Sequence, residues 1–289
     1  MKRKIVGIIV LMLVATAVVS ATHIDVKKNI QPTSSSVDVP VWKKGDSWTF
    51  NEHNTMHRYL TNGTLWFTWS RNDTLTCTVI DDTGDNYTIK ESSTDNGGFA
   101  IIGSYRLKFT PLTKFTDEFT IRKTDLAYYY QLFVDKGFVF WLFGKIGFPI
   151  PARYYLLSEA SYKSPMVDLP FPLIAGTQGN LPGYSYTYQE KITLYWGLIT
   201  LYDLPKENFT QGPLPYHCEM VNITVLSGNY NAYNVSVDVP NGLHGHYSNW
   251  LYYVPEVGHT AKGYTYFTDG AGKLIQTYGY ELVDFNYTP

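Results

Sequence analysis

The chain has 289 residues, of which 44% are hydrophobic and 16% aromatic but only 17% charged, with a formal net charge of −2. That length can bury a sizeable core as one large or two smaller domains. Lys and Arg are scattered, with no basic run after Lys4, which excludes the clustered cations that nucleic-acid binding requires.

The first element in the chain is an export signal. Met1-Lys2-Arg3-Lys4 is a basic n-region, Ile5 to Val19 an apolar run, and Val19-Ser20-Ala21 a small-residue cleavage site. About 15 apolar residues fall short of the roughly 20 that span a bilayer, so cleavage after Ala21 is favoured over an uncleaved anchor. No cysteine follows the run to accept a lipid, and loss of Lys2, Arg3 and Lys4 takes the formal charge from −2 to −5. Residues 1–21 are therefore read as a signal peptide. Residues 22–40, polar around Gln31-Pro32-Thr33-Ser34-Ser35-Ser36, form a flexible leader with too little apolar surface to pack. The product is expected outside the cytoplasm or on the cell surface.

From Val41 onward the pattern is that of strands. Lys44-Gly45-Asp46 makes a turn, and Trp48 and Phe50 share one face of the strand that follows. Thr64 to Trp69 leads to a turn at Arg71-Asn72-Asp73. Leu75 to Ile80 leads to another at Asp81 to Asn86, and Tyr87 to Lys90 comes next, the spacing of an antiparallel meander. Helical periodicity appears only weakly, at Thr124 to Phe133 and Ala152 to Ser158. Farther along, Tyr184 to Tyr188, Glu219 to Val225, Ala232 to Val237, Tyr264 to Phe267 and Leu274 to Tyr278 are strands. The expected fold class is all-β, antiparallel curved sheets or half-barrels with little helix. Asp38-Val39-Pro40 before Gly45 is echoed by Asp168-Leu169-Pro170 before Gly176, and Cys77 before Gly84 by Cys218 before Gly228. The echo suggests two related units, 41–165 and 166–289.

Gly137 to Pro151 is apolar on both faces, which fits either a buried central strand or an apolar lip beside a ligand groove. The groove candidates are Phe138, Phe140, Trp141, Phe143 and Phe148, joined by Tyr184, Tyr186 and Tyr188. Seven sequons, at Asn62, Asn72, Asn86, Asn208, Asn222, Asn234 and Asn286, mark candidate N-glycosylation sites on solvent-facing positions. Cys77 and Cys218 are too few for a zinc site; in an oxidising compartment they are a bridge or free thiols, and their equivalent places in the two units favour a bridge.

Catalytic patterns are sparse. His244-Gly245-His246 and the pair His53 and His57 each lack a third ligand and read as solvated, so no metal is expected. No Gly-x-Ser-x-Gly and no HExxH occurs. Asp81-Asp82 and Asp117-Glu118 would point to opposite faces when extended and read as solvated turn residues. Asn96-Gly97-Gly98 lacks the downstream Lys-Ser/Thr of a phosphate cradle. The chain reads as non-catalytic and without a cofactor.

Trp42-Lys43-Lys44-Gly45-Asp46-Ser47-Trp48-Thr49-Phe50 and Tyr253-Val254-Pro255-Glu256-Val257-Gly258-His259-Thr260-Ala261-Lys262 resemble segments of secreted archaeal β-rich proteins. Those proteins are similar to the half-barrels of lipoprotein carriers, in which a twisted antiparallel sheet wraps an apolar groove. The resemblance spans most of residues 41 to 287 and implies no catalytic residues. The function expected is that of a secreted or cell-surface binding or structural component of the envelope. An apolar-ligand (lipid) carrier is the first alternative. The others are a glycan-binding adhesin, a filament subunit that self-associates by strand exchange through its leader, and a hydrolase with an unrecognised site. The partners implied are cell-surface components, an apolar small molecule or a glycan.

Overall fold

Alternation of apolar and polar residues carries most of the chain into long strands. The computed structural model describes residues 36–289 except 60–61, 103–104, 110–113, 144–147, 195–198 and 243–244. Strands account for 77% of it, and no helix occurs among the described residues. The first half contains β1 (Ser36–Val37), β2 (Ser47–Tyr59), β3 (Leu65–Asp81), β4 (Asn86–Ile102), β5 (Tyr105–Phe109), β6 (Lys114–Arg122), β7 (Tyr128–Phe143) and β8 (Phe148–Met166). The second contains β9 (Leu173–Ile174), β10 (Thr177–Leu181), β11 (Tyr184–Leu194), β12 (Ile199–Gln211), β13 (Leu214–Val225), β14 (Gly228–Gly242), β15 (Gly245–Val254), β16 (His259–Thr268) and β17 (Leu274–Asn286).

Fifteen of these strands form one antiparallel sheet, in the order β10-β13-β14-β15-β16-β17-β2-β3-β4-β5-β7-β8-β11-β12, with β6 pairing β4 and β7 below β5. The two units expected from the echo are parts of that single sheet, because β17 pairs with β2 from Gln276↔Met56 to Asn286↔Ser47. The sheet does not close into a barrel. Its two ends are nevertheless tied together. Leu181 pairs with Leu214 and Tyr184 with Gln211, the same register on both sides of Pro182-Gly183 and Gly212-Pro213. Thus β10–β11 and β12–β13 are the halves of one hairpin ribbon. One half docks on β8 through β11 and the other on β14 through β13. Proline supplies no ladder donor, which lets the ribbon part at this point. A Cβ on Gly183 would lie 2.8 Å from the Gln211 carbonyl oxygen, so only glycine fits the crossover.

This linkage obliges the sheet to curve around an interior. Residues 167–176, which leave β8 for β10 at the opposite end of the sheet, cross that interior. Leu169 and Leu173 are buried there against Cys218, Tyr233, Val235, Leu251 and Tyr253. The β1 strand pairs with β9, and Val37 packs on the same cluster. The leader therefore stops being loose before Pro40, since its last residues find an apolar partner.

Three further expectations are corrected. Neither weakly helical stretch is helix: Thr124 to Ala127 is a turn leading into β7, and Ala152 to Ser158 lies in β8. Gln131, Phe133 and Asp135 are buried while Leu132 and Val134 are half-covered, and this partial burial of both faces blurs the two-residue period. The turn at Arg71-Asn72-Asp73 is instead continuous strand in the middle of β3, opposite a bulge at Asn96 of β4. Arg71 and Asp73 are both buried by the concave face they turn toward. Finally, Cys77 and Cys218 are free thiols in different clusters, Cys77 in the main core and Cys218 under the crossing segment.

The concave face is apolar at the end where the hairpins are short. Trp48, Phe50, Val79, Ile89, Phe119, Val257 and Leu282 are buried there, each large side chain contributing about 1.5–3 kcal/mol. The segments Trp42 to Phe50 and Tyr253 to Lys262 meet in this layer. Trp42 Nε1 donates to the Gly258 carbonyl and Trp48 Nε1 to the Val257 carbonyl, both at 2.8 Å. Farther up, a belt of buried polar residues crosses the same face.

Candidate functional site: an interior cavity

Between the apolar layer and the crossing segment lies a cavity of about 100 Å³. Strand alternation aims its walls inward: Phe50 from β2, Leu75 and Cys77 from β3, Ile89 and Glu91 from β4, Phe119 and Ile121 from β6. The opposite wall is Leu251 and Tyr253 from β15, His259 and Thr260 from β16, and Tyr278 and Tyr280 from β17. The crossing segment adds Asp168 and Leu169. Gly263 helps to shape this wall. A Cβ there would lie 2.4 Å from Tyr280 Cε1, so the tyrosine ring lies where a side chain would otherwise be.

Polar groups on the walls are few, and none is Lys or Arg. His259 stacks on Trp42 (5.6 Å between centroids, 16°) and packs against Trp48 at 4.8 Å and Phe50 at 5.4 Å. Burial lowers its pKa to about 4, so it is neutral at pH 7. Its Nδ1 donates to the Thr260 carbonyl at 3.1 Å, and the Thr260 hydroxyl bonds the Tyr280 phenol. Burial, followed by the charges of Asp117 and Glu52, pushes the Glu91 carboxyl well above its usual range, and the Cys77 thiol hydrogen-bonds it. The thiol is itself pushed well above its ordinary value by burial and then by Glu91, so Cys77 is a poor nucleophile.

Asp168 has the least support. Burial alone pushes it up to about 7. Among the described residues it has no hydrogen-bond donor and no cation. It also lines a second cavity of about 30 Å³, shared with Tyr184, Tyr247, Asn249 and Thr265. Tyr184 is 4% exposed, and its hydroxyl has no hydrogen-bond partner.

The groove candidates divide. Tyr184, Tyr186 and Tyr188 are buried in one cluster with Ala160, Tyr162 and Met166, and Tyr184 also lines the second cavity. The Tyr188 hydroxyl accepts from Ser158 at 2.9 Å and donates to Glu190 at 3.2 Å. Phe138 is on the outer face, 39% exposed, on β7 and away from both cavities. The side chains of Phe140, Trp141, Phe143 and Phe148 lie outside the described residues, although their backbones pair within the β7–β8 hairpin. Of the sequon asparagines, Asn62, Asn72, Asn208, Asn222 and Asn286 are exposed, Asn86 is half-buried and Asn234 is buried.

His53 bonds Asn72 and His57 bonds Thr68, both from strand β2. His246 contacts Asp238 at 2.7 Å, and His244 lies outside the described residues. Among the described residues no group of three or more His, Cys, Asp or Glu could hold a metal ion. Asp117 and Glu118 do face opposite ways, but Asp117 is a buried acceptor of Gln131 Nε2 at 2.7 Å rather than a solvated turn residue. Sequence reasoning passed over Asp168, Glu91 and His259. The one available signal was an Asp in the apolar run Met166-Val167-Asp168-Leu169-Pro170-Phe171. No protein family, curated protein or solved structure matches the chain.

Proposed function

We propose that this is a non-catalytic binding protein of the cell exterior that holds a small, largely apolar ligand inside its curved sheet. The observation that carries the reading is the cavity, walled by aromatic and aliphatic side chains with a few convergent polar groups, the composition of small-molecule sites. A solid core would have closed this volume, since interiors are normally packed to crystal density. The export signal and the five exposed sequon asparagines support the cellular location. Titration with benzyl alcohol, followed by calorimetry, tests the function. Saturable uptake that is abolished by the cavity-filling Leu251→Trp is expected, and no uptake by the wild type overturns it. Intact mass of natively expressed protein tests the location, with Thr22 as the expected first residue.

Docking on a cell-surface component is a second reading, favoured by Leu65, Trp66 and Phe138, which stand exposed on β3 and β7. Replacing all three with Ser should weaken envelope association and leave benzyl alcohol uptake intact. Strand exchange has less support, because the edge strand β12 carries Pro205 with exposed Asp203, Lys206 and Glu207, features that block edge pairing.

A further inference from the structure

We propose that the ligand of the interior cavity is an organic cation, a small amine or quaternary ammonium with an apolar body, held by the Asp168 carboxylate as counter-ion. The proposal rests on the binding reading above and gives that ligand a charge.

The walls of the cavity carry two carboxyl groups, Glu91 and Asp168, and no Lys or Arg. A carboxyl taken from water costs several kcal/mol unless it is paired or neutralised. Asp168 nevertheless has neither cation nor donor among the described residues, and it borders both cavities. The fold can supply a cation to a buried acid, as Arg71 does for Asp73 and Asp135. Asp168, half-buried and lining both cavities, has no such cation, and a guest in either cavity can supply one. Independently, the Tyr184 hydroxyl is buried without a partner on the wall of the second cavity, leaving one hydrogen-bonding group available to a guest.

The surroundings select the kind of cation. Tyr128 and Tyr280 share the walls of the first cavity with Asp168, and Tyr184 and Tyr247 share those of the second. Aromatic faces attract ammonium groups, whereas a hard metal ion needs six or more oxygens. The rest of the wall, with Phe50, Leu75, Ile89 and Phe119, covers an apolar body.

The test compares benzylamine with the neutral benzyl alcohol, by calorimetry on the full exported chain. At pH 8 the amine is expected to bind at least tenfold more tightly. Asp168→Asn, with its fold checked by circular dichroism, should bring the amine down to the level of the alcohol. In wild type, amine affinity should rise as the pH passes from 5 through 7 to 8, where the amine is still protonated, and alcohol affinity should not. Over that range His259 stays neutral, and the Cys77 thiol and the surrounding phenols, all raised, stay protonated. Glu91, also raised, and Glu52, raised to about 8 and bonded by the wall residue Tyr278, are separated by repeating the series in Glu91→Gln and in Glu52→Gln, where the rise should persist. Equal binding of the two probes, or a preference that survives Asp168→Asn, overturns the cation and leaves the binding reading standing. Uptake of neither probe overturns both. If Asp168→Asn fails to fold, a flat pH series in wild type is still sufficient to refute the proposal.

Discussion

Around Arg71 the concave face buries charge against opposite charge. Its guanidinium reaches Asp135 at 2.6 Å and Asp73 at 2.8 Å, the Tyr154 hydroxyl donates to Asp135 at 2.5 Å, and the Trp69 and Phe115 rings flank the cation. Around Asp168, on the segment that crosses the same interior, a carboxyl is half-buried among tyrosines with no such partner. The first arrangement is structural, since the guanidinium and its two carboxylates pair with one another within the chain. The second leaves an electrostatic deficit beside an empty volume. The difference shows that buried polarity alone does not mark a binding site; buried polarity left unanswered beside a cavity does.

The comparison breaks most readily at Arg71. Arg71→Met removes the guanidinium that the buried Asp73 and Asp135 both contact and should cost about 3–5 kcal/mol in chemical denaturation. Tyr154→Phe removes one donor to a charged acceptor and should cost about 1.5–3 kcal/mol. Tyr184→Phe, whose hydroxyl bonds nothing, should fall within about 0.5 kcal/mol of wild type.

Asp168→Asn should act with the opposite sign. The folded carboxyl is raised to about 7 while the unfolded value stays near 3.8. Below the unfolded value both states are protonated and the full stability is present. As pH rises through this window the unfolded state ionises first, so stability is lost up to about pH 7. The Asn variant lacks that loss and should be more stable than apo wild type at pH 8, on the order of 2 kcal/mol after screening through the cavity. At pH 4 the two should be equal. Glu52, raised to about 8 chiefly by burial, contributes a slope of the same sign in both proteins. Denaturant midpoints at the two pH values decide it. The smallest effect concerns the thiols. Reductant should leave the unfolding midpoint unchanged, and a thiol reagent should label Cys77 and Cys218 only after unfolding, because both are buried and raised by burial.

The amino-acid pattern determined what depends on near neighbours. The two-residue alternation around Trp48 and Phe50 made strands. Gly45, Gly84 and Gly272 made turns in conformations with positive φ that other residues rarely adopt. Adjacent acids such as Asp117 and Glu118 had to face opposite ways. Tertiary structure alone decided which face became the interior and what met there. Arg71 looks like a turn residue until Asp135, 64 positions away, is brought to it. The Cys77 and Cys218 that look paired by position lie under different parts of the sheet. Asp168 looks like part of a connection until the continuous ribbon of β10–β13 ties the sheet ends and forces residues 167–176 across the cavity. Alternation is a local property of the backbone, whereas compensation of a buried charge depends on strands that become neighbours only when the sheet curves.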